Sequence, residues 1–143
     1  MTTDRLLLVD DDVEFVETMA ERMRIRGLQV DVALDGPSAL KRVAEKDYDV
    51  MVLDVAMPGM SGVEVLRRLR QSQPSLQIIL LTGCATVPIA VEVVKLGAFD
   101  ILEKPADVDA LLQRIREARL RRLAAVEKES QERIDDILRR RGW

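Results

Sequence analysis

The 143-residue chain contains no histidine. Imidazole-based zinc sites and triads that need a histidine base are therefore excluded. Its single cysteine, Cys84, can form neither an internal disulfide nor a multi-cysteine metal site. Aromatics make up 3% of the residues, so the core must come from the aliphatics within the 48% hydrophobic content. Such an interior suits a sheet covered by helices on both faces. No apolar run approaches the ~18 residues of a membrane span. The opening MTTDRLLLVDDD is too short in apolar residues for a signal peptide, so a cytoplasmic protein is expected.

The net charge of -3 gives no whole-molecule attraction to nucleic acid. The charge is uneven: residues 107–143 hold 10 Lys/Arg and 8 Asp/Glu, the rest 12 and 17. That C-terminal stretch interleaves both signs and carries no DNA-binding motif, so a nucleic-acid partner is not expected.

What the chain does have is alternation. Short apolar runs (RLLLV 5–9, LQVDVAL 28–34, DVMVLD 49–54, LQIILLT 76–82, FDIL 99–102) read as strands. Between them lie amphipathic stretches at 12–27, 36–47, 62–72 and 86–97, and a last helix follows Pro105. Gly27 and Gly97 are expected helix stops, Thr86 and Asp12 caps, and Pro37 and Pro88 first-turn residues. Five β-α repeats with helical crossovers predict an α/β fold with a parallel sheet in the flavodoxin-like order 2-1-3-4-5. Ligands in such folds sit beyond the carboxyl ends of the strands.

Those ends carry a selective set. The first strand delivers Asp10, Asp11 and Asp12, the third Asp54, the fourth Thr82, and the fifth leads to Lys104. The second, an edge strand in that order, ends in a bland Asp35-Gly36 turn. Crowded carboxylates repel one another unless a cation intervenes, and a partly hydrated oxygen cage suits Mg²⁺. Asp54 could then attack a phosphoryl group, with Mg²⁺, Lys104 and Thr82 neutralising its equatorial oxygens. A rigid strand end is the right mount for such a nucleophile.

The segments LLLVDDD, MVLDVAMPGMSG, ILLTG and ILEKP, in that order, resemble the receiver domain of bacterial response regulators, the CheY-like family, over residues 4–118. The resemblance implies Asp54 as phospho-acceptor and Asp11 as a direct Mg²⁺ ligand, with Asp10 acting largely through water. It also implies the Ala56 carbonyl as a further ligand, Thr82 and Lys104 on the phosphoryl group, and a cis Lys104-Pro105 bond. The donor would be a phosphohistidine on a sensor kinase or phosphotransfer protein. A chain without histidine must meet it on a partner.

The family usually carries an aromatic residue three places before the lysine; here Ile101 stands there, and Phe99 is expected on the opposite side of the strand. Switching is then expected to rely on the loop after Thr82 and the helix beyond it. Cys84 is expected to fill a small space beside the site. Residues 1–118 form the expected receiver and 119–143 a helical extension, with Leu111, Leu112 and Ile115 docked on the sheet. Leu120, Leu123, Ile134 and Ile137 share a heptad phase that Glu127 and Ser130 interrupt, so a homodimer through this helix competes with a solvated one.

The expected output is altered affinity for a downstream protein. One rival is a Mg²⁺-dependent phosphatase or phosphotransferase of the haloacid-dehalogenase pattern. It needs a second carboxylate where Ala56 stands, and a substrate cap. Another is the receiver fragment of a larger transcription regulator. A nucleotide-binding module fails for want of a glycine-rich phosphate loop.

Overall fold

A computed structural model describes residues 5–142, so the outer limits of the two expected regions, residues 1–4 and 143, lie outside the described residues. Five parallel strands pair in the order β2-β1-β3-β4-β5, as predicted. They are β1 (Arg5–Val9), β2 (Gln29–Ala33), β3 (Val50–Asp54), β4 (Gln77–Thr82) and β5 (Asp100–Glu103). The helices are α1 (Val13–Ile25), α2 (Gly36–Glu45), α3 (Gly62–Ser72), α4 (Val87–Lys95) and α5 (Val108–Arg140).

Strand side chains alternate between faces, and two cores result. Leu6, Leu8, Val50, Val52, Ile79 and Leu81 pack with Met19 and Met23 of α1 and with Leu111, Leu112 and Ile115 of α5. Leu7, Val9, Met51, Leu53, Ile78 and Leu80 pack with Val43 of α2, Leu66 of α3 and Val93 of α4. β3 and β4 are buried along their whole length, which is why they read as unbroken apolar runs.

Helix ends follow local chemistry. Asp12, Asp35, Ser61, Thr86 and Asp107 each accept a hydrogen bond from a backbone N–H of the first turn they cap. Gly27 and Gly97 follow α1 and α4 with φ of 94° and 88°, a region costly for other residues. Gly62 serves a different need. A Cβ there would lie 2.2 Å from the backbone oxygen of Asp54, so α3 can start against the site only with glycine.

α5 passes residue 118 without a break. Beyond Ala118, Arg119, Arg122, Ala125 and Val126 remain half-buried, and every described residue from Glu127 onward is exposed. Arg122 pairs with Asp49 at 3.6 Å, and the Asp49 carboxylate also accepts the Arg5 N–H at 2.9 Å. This clasp ties α5 to the amino ends of β1 and β3.

Candidate functional site

The strand ends converge. Asp10 follows β1 and extends the ladder by donating its N–H to Ala33. Asp54 closes β3, and the next residue, Val55, donates to Leu81 of β4. Lys104 follows β5 and donates its backbone N–H to Thr82 at 2.8 Å; the Lys104-Pro105 bond is cis. Asp10, Asp54 and Thr82 are buried, and Asp11 is exposed.

Asp10, Asp11 and Asp54 each present a carboxylate oxygen within 4.8 Å of the others. The Lys104 ammonium sits among them, 2.7 Å from Asp10 and 3.3 Å from Asp54. Its other side faces the ring of Phe15, 4.7 Å from the centroid. The second Asp10 oxygen accepts the Asp12 N–H at 2.9 Å. Asp12 itself turns away and caps α1, as expected.

Burial raises the Asp54 carboxyl above its ordinary range, and the charge of Asp10 raises it further; Lys104 opposes both in part. For Lys104, burial pulls downward but is outweighed by the hydrogen bond to Asp10 and the charges of Asp10 and Asp54. The lysine is thus held charged. With the three carboxylates ionised the quartet has a net charge of -2, from hard oxygen donors only. Ligand oxygens around Mg²⁺ sit about 3–4 Å apart, a spacing close to that of this cluster. The residues fit a divalent cation.

Thr82 is placed at the site but turned within its own loop. Its hydroxyl donates to the Cys84 carbonyl and accepts from the Cys84 N–H, both at 3.2 Å. Cys84 is exposed, which corrects the expectation that it fills a small space. A turn closed by the Thr82 hydroxyl presents the residue two places on to solvent. Ala56 is exposed in the loop after Asp54.

Ile101 packs with the α3 and α4 side of the sheet, and Phe99 with the α1 and α5 side. Strand alternation alone would put them on one face. They separate because β5 begins at Asp100, leaving Phe99 in the preceding turn, where the Arg114 guanidinium lies 4.7 Å from its ring centroid.

Sequence reasoning missed two residues. Phe15 lies on α1, and its ring covers the lysine. Glu103 drew no comment, yet its carboxylate accepts the Ala85 N–H at 3.0 Å.

Residues 6–116 match the response regulator receiver domain family. The chain belongs to this family. The receiver is 40% identical over 115 residues to the C4-dicarboxylate transport transcriptional regulatory protein DctD of Pseudomonas aeruginosa, covering 80% of this chain and 25% of DctD. It is 35% identical over 134 residues to the transcriptional regulatory protein CusR of Escherichia coli, covering 94% of this chain and 59% of CusR. The receiver therefore spans between about a quarter and three-fifths of these curated relatives. Among solved structures, the response regulator TrrA of Thermotoga maritima in complex with Mg²⁺-BeF superposes with a TM-score of 0.74 at 30% identity, covering 81% of this chain and 99% of TrrA.

Proposed function

We propose that this receiver takes a phosphoryl group onto Asp54 from a phosphohistidine on a sensor kinase or phosphotransfer protein. The observation that carries the reading is the placement of Lys104 between Asp10 and Asp54, at 2.7 and 3.3 Å. A cation there holds the Asp54 oxygens in place and is at hand for the oxygens of an incoming phosphoryl group. An Asp54 oxygen bonds to phosphorus as the P–N bond to the donor imidazole breaks. The bonding pair returns to the imidazole nitrogen, which takes up a proton.

Asp10, Asp11, Asp54 and the Ala56 carbonyl would hold Mg²⁺, which when bound neutralises charge on the phosphoryl oxygens. That TrrA is described with Mg²⁺-BeF supports this ligand class. Thr82 leaves Cys84 to donate its hydroxyl to a phosphoryl oxygen, and the loop and α4 follow. The exposed Val87, Val91 and Val94 of α4, together with α5, form the face that then changes its affinity for a downstream protein. The chain acts as a cytoplasmic switch rather than a turnover enzyme. Among the described residues no helix is long and apolar enough to cross a membrane. Residues 1–118 carry the switch and 119–143 extend it, toward a second copy or as a piece of a longer regulator. We assign no nucleic-acid contact to it.

The small-molecule phosphatase alternative lacks support, since Ala56 offers no second carboxylate for acid–base work. Acetyl phosphate with Mg²⁺, followed by intact mass, tests the proposal. An adduct of ~80 Da is expected, and Asp54→Asn should abolish it. An adduct that survives in the variant places the chemistry elsewhere.

A further inference from the structure

The loop joining β4 to α4 is held by two side chains from neighbouring strands. Thr82 and Glu103 face each other in the β4–β5 ladder. The Thr82 hydroxyl donates to the Cys84 carbonyl, and the Glu103 carboxylate accepts the Ala85 N–H. That carbonyl and that N–H belong to one peptide unit. Because the unit is planar and rigid, it turns as a whole, and both of its polar ends are tied at once.

This matters for Thr82. Its hydroxyl can reach a phosphoryl group on Asp54 only by releasing Cys84. With the hydroxyl gone the turn it closed is open, and the 84–85 peptide is free to rotate. Rotation pulls the Ala85 N–H off Glu103. An N–H to a carboxylate is a charge-assisted bond, stronger than a neutral one, although here it is exposed and weakened by water.

Resting on the Asp54 and Thr82 reading above, we infer that Glu103 is a latch: a positioning residue that holds the 84–85 peptide, and through it Thr82, in the unphosphorylated arrangement. The latch supplies, from the end of β5, a coupling between that strand and the Thr82 loop that Ile101 has no ring to provide. It acts by biasing two loop states, and a ligand favouring one state must work against that bias. Removing Glu103 should therefore make a phosphoryl mimic bind more tightly without changing the metal site.

The test uses the full chain as wild type, Glu103→Ala and Glu103→Gln, with Mg²⁺ and beryllofluoride as probes. In the free protein, the Ala85 amide should exchange faster in Glu103→Ala. Mg²⁺ affinity should be the same in all three. Beryllofluoride should bind about three- to tenfold more tightly to Glu103→Ala. Glu103→Gln keeps an acceptor oxygen but loses the charge assistance, so it should fall between wild type and Glu103→Ala. If Glu103→Gln matches Glu103→Ala, the effect is charge alone and the latch is overturned. Faster Ala85 exchange with unchanged beryllofluoride affinity makes Glu103 a structural tie and also overturns it. Beryllofluoride binding that is absent in wild type, or survives Asp54→Asn, sinks the Asp54 reading itself.

Discussion

At the scale of single residues, the site is a balance between charge and burial. Asp54 ionises against a raised pKa, so its contribution to stability is present below the ordinary carboxylate range and is lost as pH rises through the raised value. We predict that Asp54→Asn, measured in chelator at neutral pH, raises the melting temperature by about 2–5 °C. A lower value would mean that Asp54 already earns its place through Lys104. Tyr48, the only tyrosine, gives a second readout. Burial first, and then its 2.6 Å hydrogen bond to Asp31, push the phenol up to about 12. Phenolate absorbance should therefore appear near pH 12. A transition near the ordinary value would show that neither the burial of the phenol nor its bond to Asp31 persists in solution. The carboxylates, Thr82 and Lys104 were legible in the sequence because each ends a strand. Phe15 and Glu103 were not, because a helix side chain laid over a lysine, or a register pairing Thr82 with Glu103, depends on how separate elements settle together.

At the scale of elements, every strand and helix was readable from periodicity, with no boundary shifted by more than two residues. β5 is the instructive case. FDIL was legible as a strand, but the observed strand runs from Asp100 to Glu103, and that one-place shift moves Phe99 into the turn and brings Glu103 beside Thr82. Short strands carry too few residues for a pattern to fix their register. α5 was legible as continuous helix, but not where its docking stops. Arg122, half-buried against Asp49, anchors the last docked turns through a partner more than seventy positions away. Arg122→Ala should cost about 0.5–1 kcal/mol by denaturant unfolding. Amide protection should fall steeply after Val126, since a short helix without tertiary contacts is marginal in water. Uniform protection to Arg140 in a dilute monomer would contradict this.

At the scale of the whole molecule, the two ends of the sheet have separate duties. The carboxyl ends gather Asp10, Asp54, Thr82 and Lys104, and the amino ends carry the Asp49–Arg122 clasp. Leu120, Leu123, Ile134 and Ile137 are all substantially exposed along the outer part of α5. If they meet a second copy on activation, the light-scattering mass should double with the phosphoryl adduct, and Ile134→Asp with Ile137→Asp should prevent it. An unchanged mass removes pairing from the role of this helix. Because α5 leaves the body as an unbroken rod, its free portion from Glu127 to Arg140 reaches ~21 Å at 1.5 Å per residue. A tilt of ~5° where the rod is seated would carry its tip sideways by about 2 Å, the geometry of a pointer on a dial. A rearrangement too slight to notice at the pivot would arrive at the far end as a displacement that a neighbouring surface can feel.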